Sequence, residues 1–320
     1  MKLKLFTLLP LLFFSLNCFS QFSKTHYIPP LSNSDSQSPL EQYIYISCPS
    51  ITPINFQIQQ IGGAIINGIV SRDTPYVYSI GTGADTQLLI TRSDVNSIKN
   101  NKGFIIQAQD LIYANVRLTA TQSFQAGGLV SKGNAALGTE FRIGAFINTG
   151  VATTSDNHYT FGSILATENN TTISFSDIKI GVVLINNAAA GNTPSNIVLN
   201  AGESFAFAAE GPNNSNRDGL IGAKITSNKP IAVNCGSFAG SNGTTTNLDL
   251  GMDQIVSAER TGTEYIFIKG SGVDVTERPL IVANENNTDV FVNGSPTPVI
   301  TLSAGQYLAL SGSDFSANNN

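Results

Sequence analysis

Charged side chains are scarce in this chain. Only 12% of its 320 residues are Asp, Glu, Lys or Arg, about half the share of an ordinary soluble domain. The 17 Lys and Arg are outnumbered by 22 Asp and Glu, which gives a net charge of −5. Because affinity for nucleic acid comes mainly from neutralising phosphates, this balance predicts no nucleic-acid partner.

Tryptophan is absent, and the chain holds only two His and three Cys. It has no Cys-x-x-Cys pair and no cluster of Cys with His, which excludes the common structural zinc sites. The glycines at positions 81 and 83 lack the lysine of a phosphate-binding loop and fit a hairpin loop better. We therefore expect no metal and no cofactor.

Few residues could serve as a general base. His26 lies in a start that we expect to be flexible, and His158 follows Asp156 in a segment with the composition of a loop. A Ser–His–Asp site would need a serine nearby in space, but no Gly-x-Ser-x-Gly elbow is present. We interpret His158 as a solvated or turn-satisfying residue.

A group of carboxylates offers a second route to chemistry. Its members are Asp249, Asp253, Glu259 and Glu264. Paired carboxylates can hydrolyse glycosides, and calcium accepts carboxylate oxygens, although the Asp-x-Asp-x-Asp-Gly loop is missing. The favoured interpretation is that they accept hydrogen bonds from turn amides or pair with Arg260 and Arg278. The sequence thus predicts no catalytic residue and no enzyme.

The longest apolar stretch is a short one near the start, at residues 5–16. Together with Lys2 and Lys4 it predicts a secretory signal peptide over residues 1–20, with a lipid anchor on Cys18 as the less favoured alternative. Twelve apolar residues are too few to cross a bilayer, which needs about 20. We expect a protein that is secreted or displayed on the outer cell surface, without a membrane span in the mature chain.

Two cysteines remain after the predicted cleavage, Cys48 and Cys235. An oxidising space permits a disulfide between them. Both stand in apolar, strand-like surroundings, however, where a thiol behaves as a small hydrophobic group. The favoured prediction is two separately buried thiols.

Beyond residue 40 the sequence is a series of short runs rich in Val, Ile, Thr, Phe and Tyr, separated by Gly, Asn, Ser and Pro. This is the pattern of strands and turns. The clearest predicted strands lie at residues 43–46, 141–147, 172–175, 197–199, 205–209, 231–235, 265–268, 280–283 and 290–292. A helical period is missing, although residues 94–101 could form one or two turns. The prediction is an all-β protein.

Blocks of sequence recur in the same order. The matched pairs are residues 138–143 with 262–267, 166–173 with 283–290, and, with one residue of slippage, 198–205 with 300–307; a weaker third copy of the first block lies at 41–46. The opening aromatic is Tyr43, then Phe141, then Tyr265. Three matched blocks in one order indicate internal repetition.

The spacing of these blocks predicts tandem antiparallel β units, with a sandwich favoured and a propeller as the alternative. We divide the chain into a linker at 21–40, unit 1 at 41–134, unit 2 at 135–258 and unit 3 at 259–320. Unit 3 lacks the hairpin that closes unit 2, so it is predicted to be incomplete, with a continuation after residue 320.

Several motifs resemble a known family. These motifs are residues 229–233, 249–256, 262–265 and 302–305. Their order resembles the N-terminal domain of IgGFc-binding proteins, in particular the exported Bacteroidetes-type members, which are gliding-motility-associated or type IX-sorted surface proteins. The resemblance covers roughly residues 40–320, and it implies a β-rich extracellular binding region.

Three functions compete on the sequence alone. The favoured one is an adhesin-like binding module that recognises an extracellular protein or glycan through polar loops such as residues 236–247. A structural spacer within a large surface protein is the second. A secreted hydrolase with paired carboxylates is the third, and it would need those groups to converge in one cleft.

Overall fold

The structure, a computed structural model, describes residues 21–33, 39–119, 126–148, 150–151, 160–187, 193–210, 213–243 and 248–315. Its regular secondary structure there is β-strand apart from single 3-10 turns. Apart from one short parallel pair, Leu31–Ser32 with Leu89–Ile90, the sheets are antiparallel, curled and nearly closed, with a sandwich- or barrel-like form. The prediction of an all-β, sandwich-like protein is therefore confirmed.

The strands that precede residue 132 are β1 (Ser23–Ile28), β2 (Leu31–Ser32), β3 (Glu41–Ser47), β4 (Ile54–Gln60), β5 (Ile65–Val70), β6 (Tyr76–Gly81), β7 (Leu89–Ile90), β8 (Ile98–Lys99), β9 (Phe104–Thr119) and β10 (Ala126–Ser131). The later strands are β11 (Gly138–Arg142), β12 (Thr160–Ala166), β13 (Thr171–Ser176), β14 (Ile197–Leu199), β15 (Ser204–Ala209), β16 (Lys224–Gly240), β17 (Asp249–Ile255), β18 (Leu280–Val282), β19 (Thr288–Val290), β20 (Ile300–Leu302) and β21 (Tyr307–Ala309). The 3-10 turns are Arg92–Asp94, Gly133–Ala136, Asn214–Asn216, Ala258–Arg260 and Gly312–Asp314.

Sheet 1 is organised by its longest strand, β9. Its first half pairs with β1 and β4, and its second half pairs with β3 and β10. β5 and β6 complete the order β5-β4-β9-β3-β6. Alternation explains why these segments form half-buried strands: in β4, for example, Ile54, Phe56 and Ile58 point into the core, while the polar residues between them are exposed.

Sheet 2 is organised in the same way by β16, which pairs with β11, β12, β13 and β17. Its main order is β14-β13-β16-β12-β15-β8. β8 precedes β9 in the chain and still pairs with β15 of sheet 2. The sequence position of a strand therefore does not by itself decide the sheet to which it belongs.

The two sheets share an apolar core. Phe161 and Phe238 of sheet 2 belong to the same buried cluster as Ile44 and Phe104 of sheet 1. Burying a side chain of this kind contributes about 1.5–3 kcal/mol. A second cluster lies within sheet 2 around Phe141, and it includes apolar residues of the strands predicted at 141–147, 172–175, 205–209 and 231–235.

The last part of the described chain forms two small two-stranded sheets, β18–β21 and β19–β20, with a small core of their own. This part touches sheet 2 at a few points. The Tyr307 hydroxyl donates to Asp218 Oδ2 over 2.8 Å. A Cβ on Gly222, whose φ is +85°, would clash with the Gly305 carbonyl oxygen. Glycine at position 222 therefore permits this close approach.

Three sequence expectations need correction. Residues 21–40, expected as a linker with a flexible His26, contain β1 and β2, and His26 is fully buried. The chain makes a 3-10 turn at Arg92–Asp94 and then β8, where one or two helical turns were predicted. Residues 265–268 are not a strand, because no described part of the chain pairs with them. The predicted signal peptide lies outside the described residues.

Candidate functional site

A shallow groove of about 550 Å³ opens on the outer side of sheet 1. It is lined by Tyr45, Asn115, Val116, Arg117, Ala126, Gly127, Gly128, Leu129 and Val130. These residues come from three neighbouring strands, β3, β9 and β10. A concave surface with a few well-placed polar groups is the usual form of a binding site.

Strand register sets the order of side chains in the groove. Tyr45 on β3 lies opposite Asn115 on β9, which lies opposite Val130 on β10. In the next row, Tyr43 and Gly128 flank Arg117 in the same way. The alternate residues of these strands are buried, so the pleat leaves the tyrosines, the amide and the guanidinium on the outer face.

An aromatic and apolar surface adjoins the groove at Tyr45. The rings of Tyr43 and Tyr45 meet edge to face, with centroids 6.0 Å apart. Val77 on β6 pairs with Tyr45 and remains 50% exposed. Tyrosine and exposed aliphatic groups side by side offer apolar contact area together with hydroxyl groups that can form hydrogen bonds.

Arg117 supplies the positive charge of the groove. Its side chain is exposed, and no hydrogen bond or ion pair joins it to another residue in the described ranges. A free guanidinium can bind a carboxylate through two parallel hydrogen bonds. The groove can therefore recognise an acidic group beside an apolar one.

Two glycines of β10, Gly127 and Gly128, leave part of the groove surface without side chains. A Cβ on Gly127 would clash with the Leu250 side chain, and one on Gly128 would clash with the Val116 carbonyl oxygen. Both positions therefore need glycine for β10 to lie against its neighbours. Because no side chains stand at these two positions, the part of the groove between Arg117 and Val130 is unobstructed.

Behind the groove lies a buried polar network. His26 Nε2 donates to the Ile112 carbonyl oxygen over 3.1 Å, and Nδ1 lies 3.0 Å from Ser131 Oγ. Ser131 Oγ donates to Gln254 Oε1, and Gln254 Nε2 donates to the Tyr27 carbonyl oxygen over 2.7 Å. Desolvation lowers the pKa of His26. The network joins β1, β10 and β17, so its position indicates a structural role.

The predicted carboxylate group does not form a catalytic pair in the structure. Asp249 Oδ1 accepts from the amides of Ala126 and Leu250, while Asp253 forms an ion pair with Lys132. Burial acts to raise the pKa of Glu259, but hydrogen bonds, among them the one from the Thr139 hydroxyl to Glu259 Oε1, outweigh it and lower the pKa.

The expected arginine partners bind elsewhere. Arg260 donates to the Leu137 carbonyl oxygen, and Arg278 donates to the carbonyl oxygens of Ala309 and Leu310. The described ranges contain no group of three or more His, Cys, Asp or Glu side chains that could hold a metal ion. Asp156 and His158 lie outside the described residues.

The predicted contact loop at residues 236–247 is a poor candidate. Residues 236–240 belong to β16 and are buried, because small residues there allow strands to pack closely. A Cβ on Gly236 would clash with the Gly251 carbonyl oxygen. Residues 244–247 lie outside the described chain. The groove was missed because its signal, two outward tyrosines spaced by one residue in β3, is common among strands.

Cys48 and Cys235 are buried free thiols, as predicted. Burial raises the pKa of Cys235 to about 12. A thiol with that pKa remains protonated at neutral pH and is a poor nucleophile. Cys235 therefore serves packing, and its Sγ accepts a hydrogen bond from the Gly144 amide over 3.3 Å.

Across the described ranges, no helix is long and apolar enough to cross a membrane. No curated protein and no solved structure matches this chain. The family described as IgGFc binding protein matches residues 126–320. That match includes β10 of the groove and all of the later strands, while β3 and β9 precede it. The match spans more than half of the sequence, and the chain therefore belongs to the IgGFc-binding protein family.

Proposed function

We propose that this protein is an exported, adhesin-like binding module that recognises an extracellular protein through the groove on sheet 1. The observation that carries the proposal is the open groove lined by Tyr45 and Arg117, with Tyr43 beside Arg117 in the register of β3 with β9 and no side-chain partner for Arg117 among the described residues. Membership of a family named for binding a protein supports the same class of activity. The proposal includes no catalytic step.

The chemistry of the groove suits a protein partner. Tyrosine and arginine are the residues that most often dominate the binding energy of an interface. A typical partner covers about 800 Å² on each side, so Val77 and the outer face of β6 would lie at the rim. The partner segment that we propose is an acidic residue next to apolar or aromatic ones.

Export is the second element of the proposal. The basic and apolar pattern of residues 1–20 and the resemblance to exported Bacteroidetes-type surface proteins both support it. We propose delivery outside the cell, either in free form or on the outer surface. A spacer role within a large surface protein is the alternative if no ligand binds.

A glycan is the second candidate ligand, and a separate feature favours it. On the other half of sheet 1, Asn67, Gln57, Gln107 and Thr25 pair in one row across β5, β4, β9 and β1. The three amide side chains are exposed and none carries charge. Such a row presents donors and acceptors that match sugar hydroxyls.

The test is a binding screen of residues 21–320 against extracellular proteins and glycans, followed by variants. For a protein ligand we expect Tyr45→Ala and Arg117→Ala each to raise Kd by about tenfold or more. Arg72→Ala is the matched control, because Arg72 is also exposed but pairs with Asp73 away from the groove.

The variants also separate the two ligand classes. A glycan bound on the amide row would lose affinity in the Gln57→Ala, Gln107→Ala double variant and keep it in the groove variants. A screen without any ligand, or a protein ligand whose Kd is unchanged in both groove variants, would contradict the proposal.

A further inference from the structure

The most exposed apolar segment of the described chain is residues 263–268. Its side chains include Tyr265 at 61% exposure, Ile266 at 88% and Ile268 at 90%. No backbone hydrogen bond joins residues 263–269 to another described residue. Apolar side chains and unpaired amides in the same segment are the properties of a strand without a partner.

The two small sheets that follow this segment pair in the same register as strands of sheet 2. Leu165 pairs with Ser204 and Ile164 with Phe205 in β12–β15. The residues in matching sequence positions, Val282 with Tyr307 and Ile281 with Leu308, pair in β18–β21. Likewise, the three pairs of β13–β14 correspond one by one to the three pairs of β19–β20.

Side-chain and turn details agree as well. Asn169 Oδ1 accepts from the Ala201 amide over 3.0 Å, and Asn286 Oδ1 accepts from the Ala304 amide over 3.0 Å. The turn residues Asn170 and Asn287 have φ of 55° and 59°. Identical registers and turn contacts indicate that residues 262–309 follow the same plan as residues 138–209.

In sheet 2 one strand completes this plan. β16 pairs with β11, β12 and β13. Phe141 in β11 and Ile143 just after it lie beside β16 and are fully buried. The matching residues of the later segment are Tyr265 and Phe267, which are 61% and 46% exposed. Residues 263–268, β18 and β19 thus all lack the same neighbour within the described chain. We call these three segments the open edge.

We propose that the open edge binds a β-strand of the β16 type, contributed by polypeptide outside residues 21–315. Such a strand would pair with residues 263–268, with the free side of β18 and with the end of β19, as β16 does in sheet 2. Main-chain hydrogen bonds would supply affinity, and alternating apolar side chains would cover Tyr265 and Phe267.

The side chains that the incoming strand must carry can be inferred from those of β16. Ile225, Ile231 and Val233 of β16 are fully buried against the strands that match the open edge. The incoming strand must therefore carry aliphatic residues at these positions. A second copy of this chain could not lend its own β16, because strands already pair with both sides of it.

A synthetic peptide with the sequence of residues 222–240, carrying Cys235→Ser, is the probe. It is added to the mature chain, residues 21–320. We expect saturable binding, with amide hydrogen exchange slowed about tenfold or more in residues 263–268, 280–282 and 290–292. Absence of binding at about 1 mM peptide, or slower exchange only outside the open edge, would overturn the proposal.

Position 267 provides a matched pair of variants. Its counterpart, Ile143, donates its amide to the Ala223 carbonyl oxygen over 2.9 Å. Phe267→Pro removes this donor and should weaken peptide binding about tenfold or more. Phe267→Ile keeps the donor and should bind as the parent does. Unchanged exchange in β18–β21 verifies that both variants fold.

Equal binding by the two variants would contradict strand pairing. Sedimentation without peptide tests the other occupant, a second copy. A concentration-dependent dimer that protects residues 263–268 would show that the edge serves self-association, and it would overturn the choice of a β16-type strand. The groove variants leave this assay unchanged, so failure of the proposed function and failure of this proposal are distinguishable.

Discussion

At the scale of residues, polar groups in the interior hold the sheets together. Asn234 donates to the Pro29 carbonyl oxygen over 2.8 Å, and Gln254 donates to the Tyr27 carbonyl oxygen. Both bonds connect the first strand and the residues just after it to strands more than two hundred residues later. A buried polar group costs free energy unless it is paired. These amides therefore favour one arrangement of β1 over others.

His26 makes the stability of the fold depend on pH. Because burial lowers its folded-state pKa below the usual value near 6.5, the unfolded chain binds a proton more readily than the folded chain. The free energy of unfolding should therefore fall as pH drops from about 6.5 toward the folded pKa.

Urea unfolding between about pH 5 and pH 7.5 measures this dependence. His26→Gln removes the titrating group and should flatten the part of the slope that His26 causes. Identical slopes for the parent and the variant would show that other groups dominate.

At the scale of elements, the strands were predictable and several of their partners were not. The local pattern of short apolar or alternating runs located β3, β13, β14 and β15. It missed β1, where His26 and Ser23 are buried although polar residues are usually expected at the surface. It also placed a strand at residues 265–268, since the sequence there has the composition of a strand but no neighbour in the described chain.

The candidate site was less accessible to sequence reasoning. Tyr43 and Arg117 meet only through the register of β3 with β9 across a long sequence separation. A local pattern cannot supply that register, because it depends on the fold as a whole. The polar loop at 236–247 was predicted instead, and its first residues prove to be buried strand.

The central strand β16 should be the most sensitive element of sheet 2. Val233→Ala removes two methyl groups from a fully buried position between β12 and β17 and should cost about 2 kcal/mol of unfolding free energy. Val198→Ala is the control, because Val198 on β14 is 51% exposed. Equal losses in denaturant titrations would contradict this assignment.

At the scale of the whole molecule, stability comes from packing and hydrogen bonds, since the two cysteines of the described chain are unpaired. Cys48 and Cys235 are separate and buried. Reducing agent should therefore leave Tm unchanged within error, and thiol-specific reagents should label neither residue until the protein unfolds. A Tm that falls on reduction would indicate a disulfide between them.

The contacts between β1 and strands distant in sequence affect the order in which the protein folds. The contact between Gln254 and Tyr27 spans 227 residues of sequence, and β1 pairs with β9 only after many residues have intervened. Chains dominated by such distant contacts fold slowly, because loop closure precedes the stabilising contacts. β1 can join sheet 1 as soon as β9 is present. The hydrogen bond from Gln254 that joins β1 to sheet 2 can form only after β17 has taken its place.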